Sequence, residues 1–271
     1  MNQRQSPFLK WPGGKRWFVK KYRDIFPKEY GTYIEPFLGS GAVFFSQMPS
    51  KAILGDINEE LINLYLVMRD NPDKLKEILM LHQRLHEKDY YYKIRATIPA
   101  TTEEKAARML YLNRSCYNGM YRVNKRGEFN VPIGTKTHFL YDIDSFEDYA
   151  QCLENAQLFC ADFCQTIAMA KQNDFIFADP PYALARNSNF VKYNDKLFEW
   201  KDQIRLHKAL VAARDRDVKI VLTNVYCEEI AELYQTTGFF VQEISRASTI
   251  AGKVDKRGKV TELIITSKEK F

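Results

Sequence analysis

The spacing of hydrophobic positions changes several times along the chain. After Gly13 and Gly14, apolar residues recur at Trp17, Phe18, Tyr22, Ile25 and Phe26, which predicts a helix over residues 15–26 ended by Pro27. Residues 32–35 read as a short strand leading into Pro36 and the Gly39-Ser40-Gly41 turn, and 42–48 then read as a helix stopped by Pro49. Residues 51–56 form the next strand with Asp56 at its end, completing a βαβ pattern. Asn58 is placed to cap a helix through Leu61, Ile62, Tyr65, Leu66 and Met68. From there to about residue 145 the pattern is mainly helical, with a polar, aromatic loop after Asn113.

Strand signals return at 157–160, 174–179, 218–224, 239–245 and 260–267, with helical stretches before the last pair. This alternation predicts an α/β fold: one wound sheet from residues 1–58 and 146–271, interrupted by an inserted, mainly helical domain over 59–145. The final two strands flank a basic loop, so an antiparallel hairpin is expected at the end of the chain.

Composition adds exclusions. Of 271 residues, 45% are hydrophobic and 27% charged, which rules out a disordered, collagen-like or coiled-coil chain. No apolar run approaches the roughly 18 residues of a membrane span, and the first ten residues lack the hydrophobic stretch of a signal peptide. A cytoplasmic protein with no membrane partner is expected. The five cysteines are odd in number and scattered, so reduced thiols are expected; Cys160 and Cys164 have no second pair to complete a zinc site, and no metal is expected.

The net charge is only +6, but it is unevenly spread. Residues 1–28 hold eight basic side chains against Asp24 alone, 108–136 hold six against Glu128, and 246–259 hold five against Asp255. These stretches carry +16 together, leaving −10 elsewhere. They could form one electropositive face for a polyanion, or three solvated loops facing different ways; charge alone supports both equally.

In open α/β sheets ligands bind at the carboxyl ends of strands. One such end carries Glu35-Pro36-Phe37-Leu38-Gly39-Ser40-Gly41, with Asp56 at the end of the next strand, where a carboxylate can accept ribose hydroxyls. The glycines alone describe a plain tight turn equally well. A dinucleotide fingerprint would want glycine where Phe44 stands, and there is no phosphate-loop lysine. An adenosine without phosphates fits better, and S-adenosylmethionine is the common one.

The second such end is Asp179-Pro180-Pro181-Tyr182, directly after the apolar strand Phe175-Ile176-Phe177-Ala178. Two prolines fix φ near −65° and remove two N–H donors, leaving a rigid turn that offers acceptors. Tyr182 adds a flat face for a planar base, worth roughly 1–3 kcal/mol per stacked base. Acceptors beside a ring suit an aromatic base bearing an amino group, such as adenine at N6. An acidic acceptor there strengthens as positive charge develops on the nitrogen, which favours the transition state. The base would have to leave a stacked duplex to reach it.

Taken in order, Phe8-Leu9-Lys10-Trp11-Pro12-Gly13-Gly14-Lys15, Glu35 to Gly41, Asp56-Ile57-Asn58, Tyr111-Leu112-Asn113-Arg114, Tyr117-Asn118-Gly119, Arg126-Gly127-Glu128-Phe129-Asn130-Val131-Pro132 and Asp179-Pro180-Pro181-Tyr182 span nearly the whole chain. This set closely resembles the Dam-like DNA adenine-N6 methyltransferases (D12 class, alpha group), whose target-recognition region lies between the cofactor motif and the Asp-Pro-Pro-Tyr motif. The resemblance implies a Rossmann-like methyltransferase sheet and S-adenosylmethionine as cofactor. Trp11, Lys15, Glu35, Pro36, Phe37, Gly39, Ser40, Gly41, Asp56, Asp162, Phe163 and Asp179 would surround it. Asp179 and Tyr182, with Pro180 and Pro181 between them, would be catalytic.

For double-stranded DNA the resemblance implies contacts from Lys10, Arg114, Tyr117, Asn118, Met120, Arg122, Asn124, Pro132 and Lys136. Lys10 would meet the first base pair, Tyr117 wedge into the stack, Asn118 lie near the gap left by the extruded base, and Arg122 read a guanine. The implied target is 5′-GATC-3′. Thr135 and Lys136 stand where relatives often have arginine after the glycine, and Met120 replaces a common leucine. A monomer without an obligate protein partner is expected, and His82, His86, His138 and His207 are expected at the surface or in packing. The competing functions are methylation of another exocyclic amine, cytosine N4 or RNA adenine, and a non-catalytic DNA-binding protein; intact Asp179 and Tyr182 argue against the last.

Overall fold

The computed structural model describes residues 6–124, 126–140, 145–182, 198–247 and 259–271. In chain order its elements are α1 (Arg16–Lys21), β1 (Tyr33–Glu35), α2 (Ala42–Gln47), β2 (Ala52–Asp56), α3 (Glu59–Asp70), α4 (Pro72–Arg84), α5 (Lys88–Ala96) and α6 (Thr102–Ser115). There follow α7 (Phe146–Leu153), β3 (Ala156–Cys160), α8 (Phe163–Ala168), β4 (Phe175–Ala178), α9 (Trp200–Arg214), β5 (Lys219–Val225), α10 (Glu228–Gln235), β6 (Phe240–Ala247) and β7 (Lys259–Thr266). Among the described residues seven strands alternate with helices, which makes this an α/β protein. The expected basic loop between the last two strands, 248–258, lies outside the described residues, and with it most of the third basic stretch.

Two compact units divide the chain. One comprises Met1–Lys21 and Leu38–Ala161. Here β2 and β3 pair in parallel from Ala52 opposite Ala156 to Asp56 opposite Cys160. The stretch between those strands is helical, as its periodicity predicts. Asn58 caps α3, its side chain accepting from Leu61 N–H at 3.0 Å, and Thr101 with Glu104 forms a capping box on α6. The rings of Phe8, Phe45, Tyr65 and Tyr149 pack around one centre, edge-on or tilted except for Phe45 stacked on Tyr65, with centroids 5.0 Å apart for Phe8 and Tyr65. A second aromatic centre joins buried His82 to Tyr111, stacked at 4.9 Å, and to Phe139 through Tyr111.

The other unit comprises Tyr22–Phe37 and Asp162–Phe271. Parallel pairing runs β1 to β4 to β5, and β7 then pairs antiparallel with both β5 and β6. The expected antiparallel ending is present, with Phe240 opposite Thr266. Parallel strands are covered on both faces and so read as continuous apolar runs; Phe175, Ile176, Phe177 and Ala178 are all buried. Each large side chain so buried contributes about 1.5–3 kcal/mol.

One expected element is different. The helix predicted over 15–26 stops at Lys21, Tyr22 leaves helical geometry at φ −120°, ψ 45°, and only a short 3-10 turn, Arg23–Ile25, follows. Phe26 lies against Phe175 and Phe177 at 6.2 and 6.1 Å, and this packing overrides the local periodicity. All five cysteines are free thiols. Among the described residues no helix is long and apolar enough to cross a membrane.

Candidate active site

In the second unit the Asp179-Pro180-Pro181-Tyr182 corner begins at the residue after β4. Two prolines cannot extend the ladder, so the strand ends where the acid begins. Asp179 and Tyr182 are half-buried, Pro180 is buried and Pro181 exposed. The register of β4 with β5 pairs Ala178 with Leu222, which sets the next residues, Asp179 and Thr223, side by side. The Thr223 hydroxyl donates to Asp179 Oδ1 at 2.8 Å. Thr223 and its neighbour Asn224 are both fully buried. The Asn224 side chain donates to Gln203 Oε1 at 3.0 Å, and Gln203 in turn donates to the buried Tyr234 hydroxyl at 3.1 Å.

The same unit holds Glu35, Pro36 and Phe37 at the end of β1. Glu35 is buried and accepts from the Tyr33 hydroxyl at 2.7 Å. Burial, and then the neighbouring Glu35 charge, push the Tyr33 hydroxyl pKa well above its ordinary value. Phe37 stacks on Phe163 at 5.2 Å and 27°, and Phe198 closes the cluster at 5.9 and 5.7 Å from the two rings. Asp162 caps α8, accepting from Cys164 N–H at 2.9 Å. Arg205 on α9 donates to Asp162 Oδ1 at 2.9 Å and lies 4.9 Å over the Phe163 ring.

In the first unit Trp11, Gly39 and Asp56 come together. The Asp56 carboxylate accepts from Gly39 N–H and Asn58 N–H, each at 3.0 Å, and so ties the glycine turn to the end of β2. Burial raises the Asp56 pKa, opposed by the backbone donors of Gly39, Asn58 and Ile57. Gly39 sits at φ 48°, and a Cβ there would come 2.8 Å from Trp11 Cδ1, so glycine alone lets the turn close on the indole. Ser40 and Gly41 are buried beside it. Lys15 is also buried, its ammonium donating to Gly13 C=O at 3.2 Å. Trp11 stacks on Tyr121 at 4.7 Å and 25°.

Tyr121 belongs to a hairpin-like loop after α6, held by Tyr117 N–H to Pro132 C=O at 2.9 Å, Asn130 N–H to Arg122 C=O at 3.1 Å and Asn124 N–H to Glu128 C=O at 2.9 Å. Tyr117 is 54% and Met120 40% exposed, unusual for side chains of that size. Lys10, Asn118, Arg122, Pro132 and Lys136 are exposed as well. Asn118 adopts a left-handed conformation at φ 57°, and Arg122 Nε donates to Asn130 Oδ1 at 2.8 Å. Asn113 exchanges hydrogen bonds with the backbone of Lys10, and a Cβ at Gly119 would come 2.5 Å from Lys10 Cδ.

Two residues expected to touch DNA have side chains bonded within the chain, Arg114 inside the fold and Asn124 in a half-exposed loop. Arg114 is buried, its guanidinium donating to Phe8 C=O at 2.9 and 2.7 Å and to Phe139 C=O at 3.2 Å, because a buried guanidinium needs acceptors and the backbone supplies them. Asn124 accepts from Arg126 N–H and Glu128 N–H and donates to the Glu128 carboxylate, so its side chain builds the loop's tip. Sequence reasoning missed Thr223, Arg205 and Asn113. A hydroxyl and an amide ending the apolar run Ile220-Val221-Leu222 were the available signal for Thr223; Arg205 reads as one more cation on a solvated helix.

Comparison with known proteins names the chemistry. The family model for D12 class N6 adenine-specific DNA methyltransferases matches residues 11–250. The type II methyltransferase M1.LlaDCHI of Lactococcus lactis subsp. cremoris is 37% identical, over 96% of this chain and 95% of the relative. The type II methyltransferase M.MjaIII of Methanocaldococcus jannaschii is 35% identical over 96% and 98%. A DNA adenine methylase of Haemophilus influenzae is 35% identical over 96% and 93%. The acidic proline corner, the glycine turn and the exposed loop thus lie in an enzyme, and the chain belongs to the D12 class N6 adenine-specific DNA methyltransferases.

Proposed function

We propose that the enzyme transfers a methyl group from S-adenosylmethionine to N6 of an adenine turned out of duplex DNA, within 5′-GATC-3′. The observation that carries this reading is the corner at the end of β4, where a rigid pair of prolines separates a half-buried carboxylate from a half-buried ring. Each unit by itself offers groups that suit an adenosine-bearing cofactor: in one, Gly39 lets backbone close on Trp11 and Asp56 has carboxylate oxygens at the strand end; in the other, Phe37 and Phe163 offer aromatic faces beside Asp162. When bound, S-adenosylmethionine supplies an electrophilic methyl on a sulfonium.

The chain's own residues do the rest. The Asp179 carboxylate and the Pro180 carbonyl accept the two N6 hydrogens and draw the nitrogen toward tetrahedral geometry, which frees its lone pair. Their attraction grows as the nitrogen becomes positive, so it lowers the barrier instead of merely tightening binding. Tyr182 stacks on the extruded base and offsets part of the few kcal/mol that unstacking costs. The remaining gain comes from holding nitrogen, carbon and sulfur in line.

Residues 59–145 serve as the target-recognition region. Exposed Tyr117 wedges into the stack, Asn118 lies near the gap left by the extruded base, Arg122 donates two hydrogen bonds to a guanine, and Lys10, Met120, Pro132 and Lys136 complete the surface. The test is methylation of duplex DNA by purified protein with the cofactor, followed by sequencing of modified adenines. Methylated adenine confined to GATC is expected, and Asp179→Ala should abolish transfer while duplex binding persists. Unchanged turnover in Asp179→Ala would overturn the catalytic assignment, and methylation at other sites the target.

A further inference from the structure

The β4 to β5 register leaves Asp179 beside Thr223, one residue beyond the last paired position, Ala178 with Leu222. Thr223 follows the apolar, fully buried run Ile220-Val221-Leu222 and is itself fully buried. A hydroxyl there carries a desolvation cost that valine, of nearly the same shape, would avoid. Its partner is one carboxylate oxygen of Asp179 at 2.8 Å. An ionised carboxylate only accepts, so the direction is fixed: Thr223 donates. The strand behind is locked as well, since Asn224 is bonded to Gln203 and Gln203 to Tyr234, all fully buried.

We infer that Thr223 is a positioning residue for methyl transfer, fixing the rotation of the Asp179 carboxylate so that its acceptor meets the amine, and holding it ionised. This deepens the reading of Asp179 given above and rests on it. A charge-assisted hydrogen bond from a rigid strand removes one torsion from the reacting geometry and disfavours protonation of the acid. Thr223 acts only through Asp179, so the loss of its hydrogen bond should appear chiefly in the chemical step and little in ground-state binding.

Thr223→Val in the full-length enzyme should slow single-turnover methylation of duplex DNA roughly ten- to hundredfold. Dissociation constants for the duplex and for S-adenosylhomocysteine should stay within about twofold of wild type. The acid limb of the rate–pH profile should move to higher pH, and in the enzyme free of ligands the carbon-13 resonance of the Asp179 carboxyl should titrate at higher pH too. Thr223→Ser, which keeps the donor, should restore all three readouts. If Thr223→Val does not fold, Thr223→Ala removes the same donor and takes the same measurements. A valine or alanine variant with wild-type rate and an unmoved carboxyl titration overturns the inference, as does a serine variant no better than valine. A wild-type enzyme that methylates no adenine defeats the proposed function instead, so the two failures are distinct.

Discussion

Asn113 holds Lys10 by both of its backbone groups. The Asn113 carboxamide oxygen accepts from Lys10 N–H at 3.0 Å, and its amide donates to Lys10 C=O at 2.8 Å. Asn113 is 1% exposed while Lys10 is exposed, so a buried side chain on α6 fixes the track on which a surface cation stands. Asn113→Ala leaves two backbone groups without these partners and should lower stability by about 1–3 kcal/mol in chemical denaturation. It should also flatten discrimination at the first base pair, the one proposed for Lys10, read as kcat/KM on duplexes altered there. Asn113→Asp keeps one bond and sets a carboxylate oxygen against the Lys10 carbonyl, so it should be no better than alanine. Wild-type discrimination in Asn113→Ala would show that Lys10 needs no such hold.

Arg122 is oriented by Asn130, which accepts from its Nε at 2.8 Å and leaves the far edge of the guanidinium toward solvent. Arg122→Ala should reduce discrimination at a single guanine by roughly 1–3 kcal/mol. Asn130→Ala should cost less at the same base, because the arginine stays and keeps its Nη2 bond to the backbone carbonyl of residue 130 while losing the one from Nε. An equal loss of affinity for every sequence would make Arg122 a phosphate contact, with a shallower salt dependence as its signature.

The strands, the Asn58 cap and the final hairpin are legible because each rests on local pattern: β4 is an unbroken apolar run, and Asn58 precedes the helical spacing of α3. The corner after β4 is legible because two prolines beside an acid and a tyrosine have few structural uses. What sequence hides is long-range pairing. Nothing near Thr223 in the chain announces Asp179, 44 residues away; only the register of two parallel strands joins them. Arg114 shows the same limit in the opposite direction. Its place in an ordered motif suggests a cation for DNA, yet Phe8 lies 106 residues away and its carbonyl takes the guanidinium. The 15–26 helix breaks for a similar reason, since Phe26 packs on rings far along the chain.

Arg205 joins Asp162 and Phe163, donating to one and covering the other. It is half exposed and also bonds Asp202 at 2.9 Å, so solvent screens much of its effect. Arg205→Ala should weaken S-adenosylhomocysteine binding by roughly two- to fivefold in calorimetry, with duplex affinity unchanged. Arg205→Met, which keeps an apolar cover over Phe163 without the ion pair, separates the two contributions. Wild-type affinity in both variants would remove Arg205 from the cofactor site.

His82 gives stability a pH dependence of calculable sign. The ring is buried against Tyr111, with Nδ1 2.8 Å from the Tyr90 hydroxyl, and burial lowers its pKa from 6.5 to about 4. In the unfolded chain the imidazole takes its proton near 6.5, so below that pH the unfolded state binds more protons than the folded one. The contribution is therefore complete above pH 6.5 and is lost as pH falls toward 4, by about 2 kcal/mol between pH 7 and pH 5. His207, also buried, has its pKa lowered by burial and by Arg214 and Lys208, and adds in the same direction. The difference in unfolding free energy between wild type and His82→Phe isolates the first residue: it should shrink by about that amount over the same interval, as the variant has no imidazole to protonate. A difference that stays constant from pH 7 to pH 5 would mean that His82 accepts its proton inside the fold as readily as outside it.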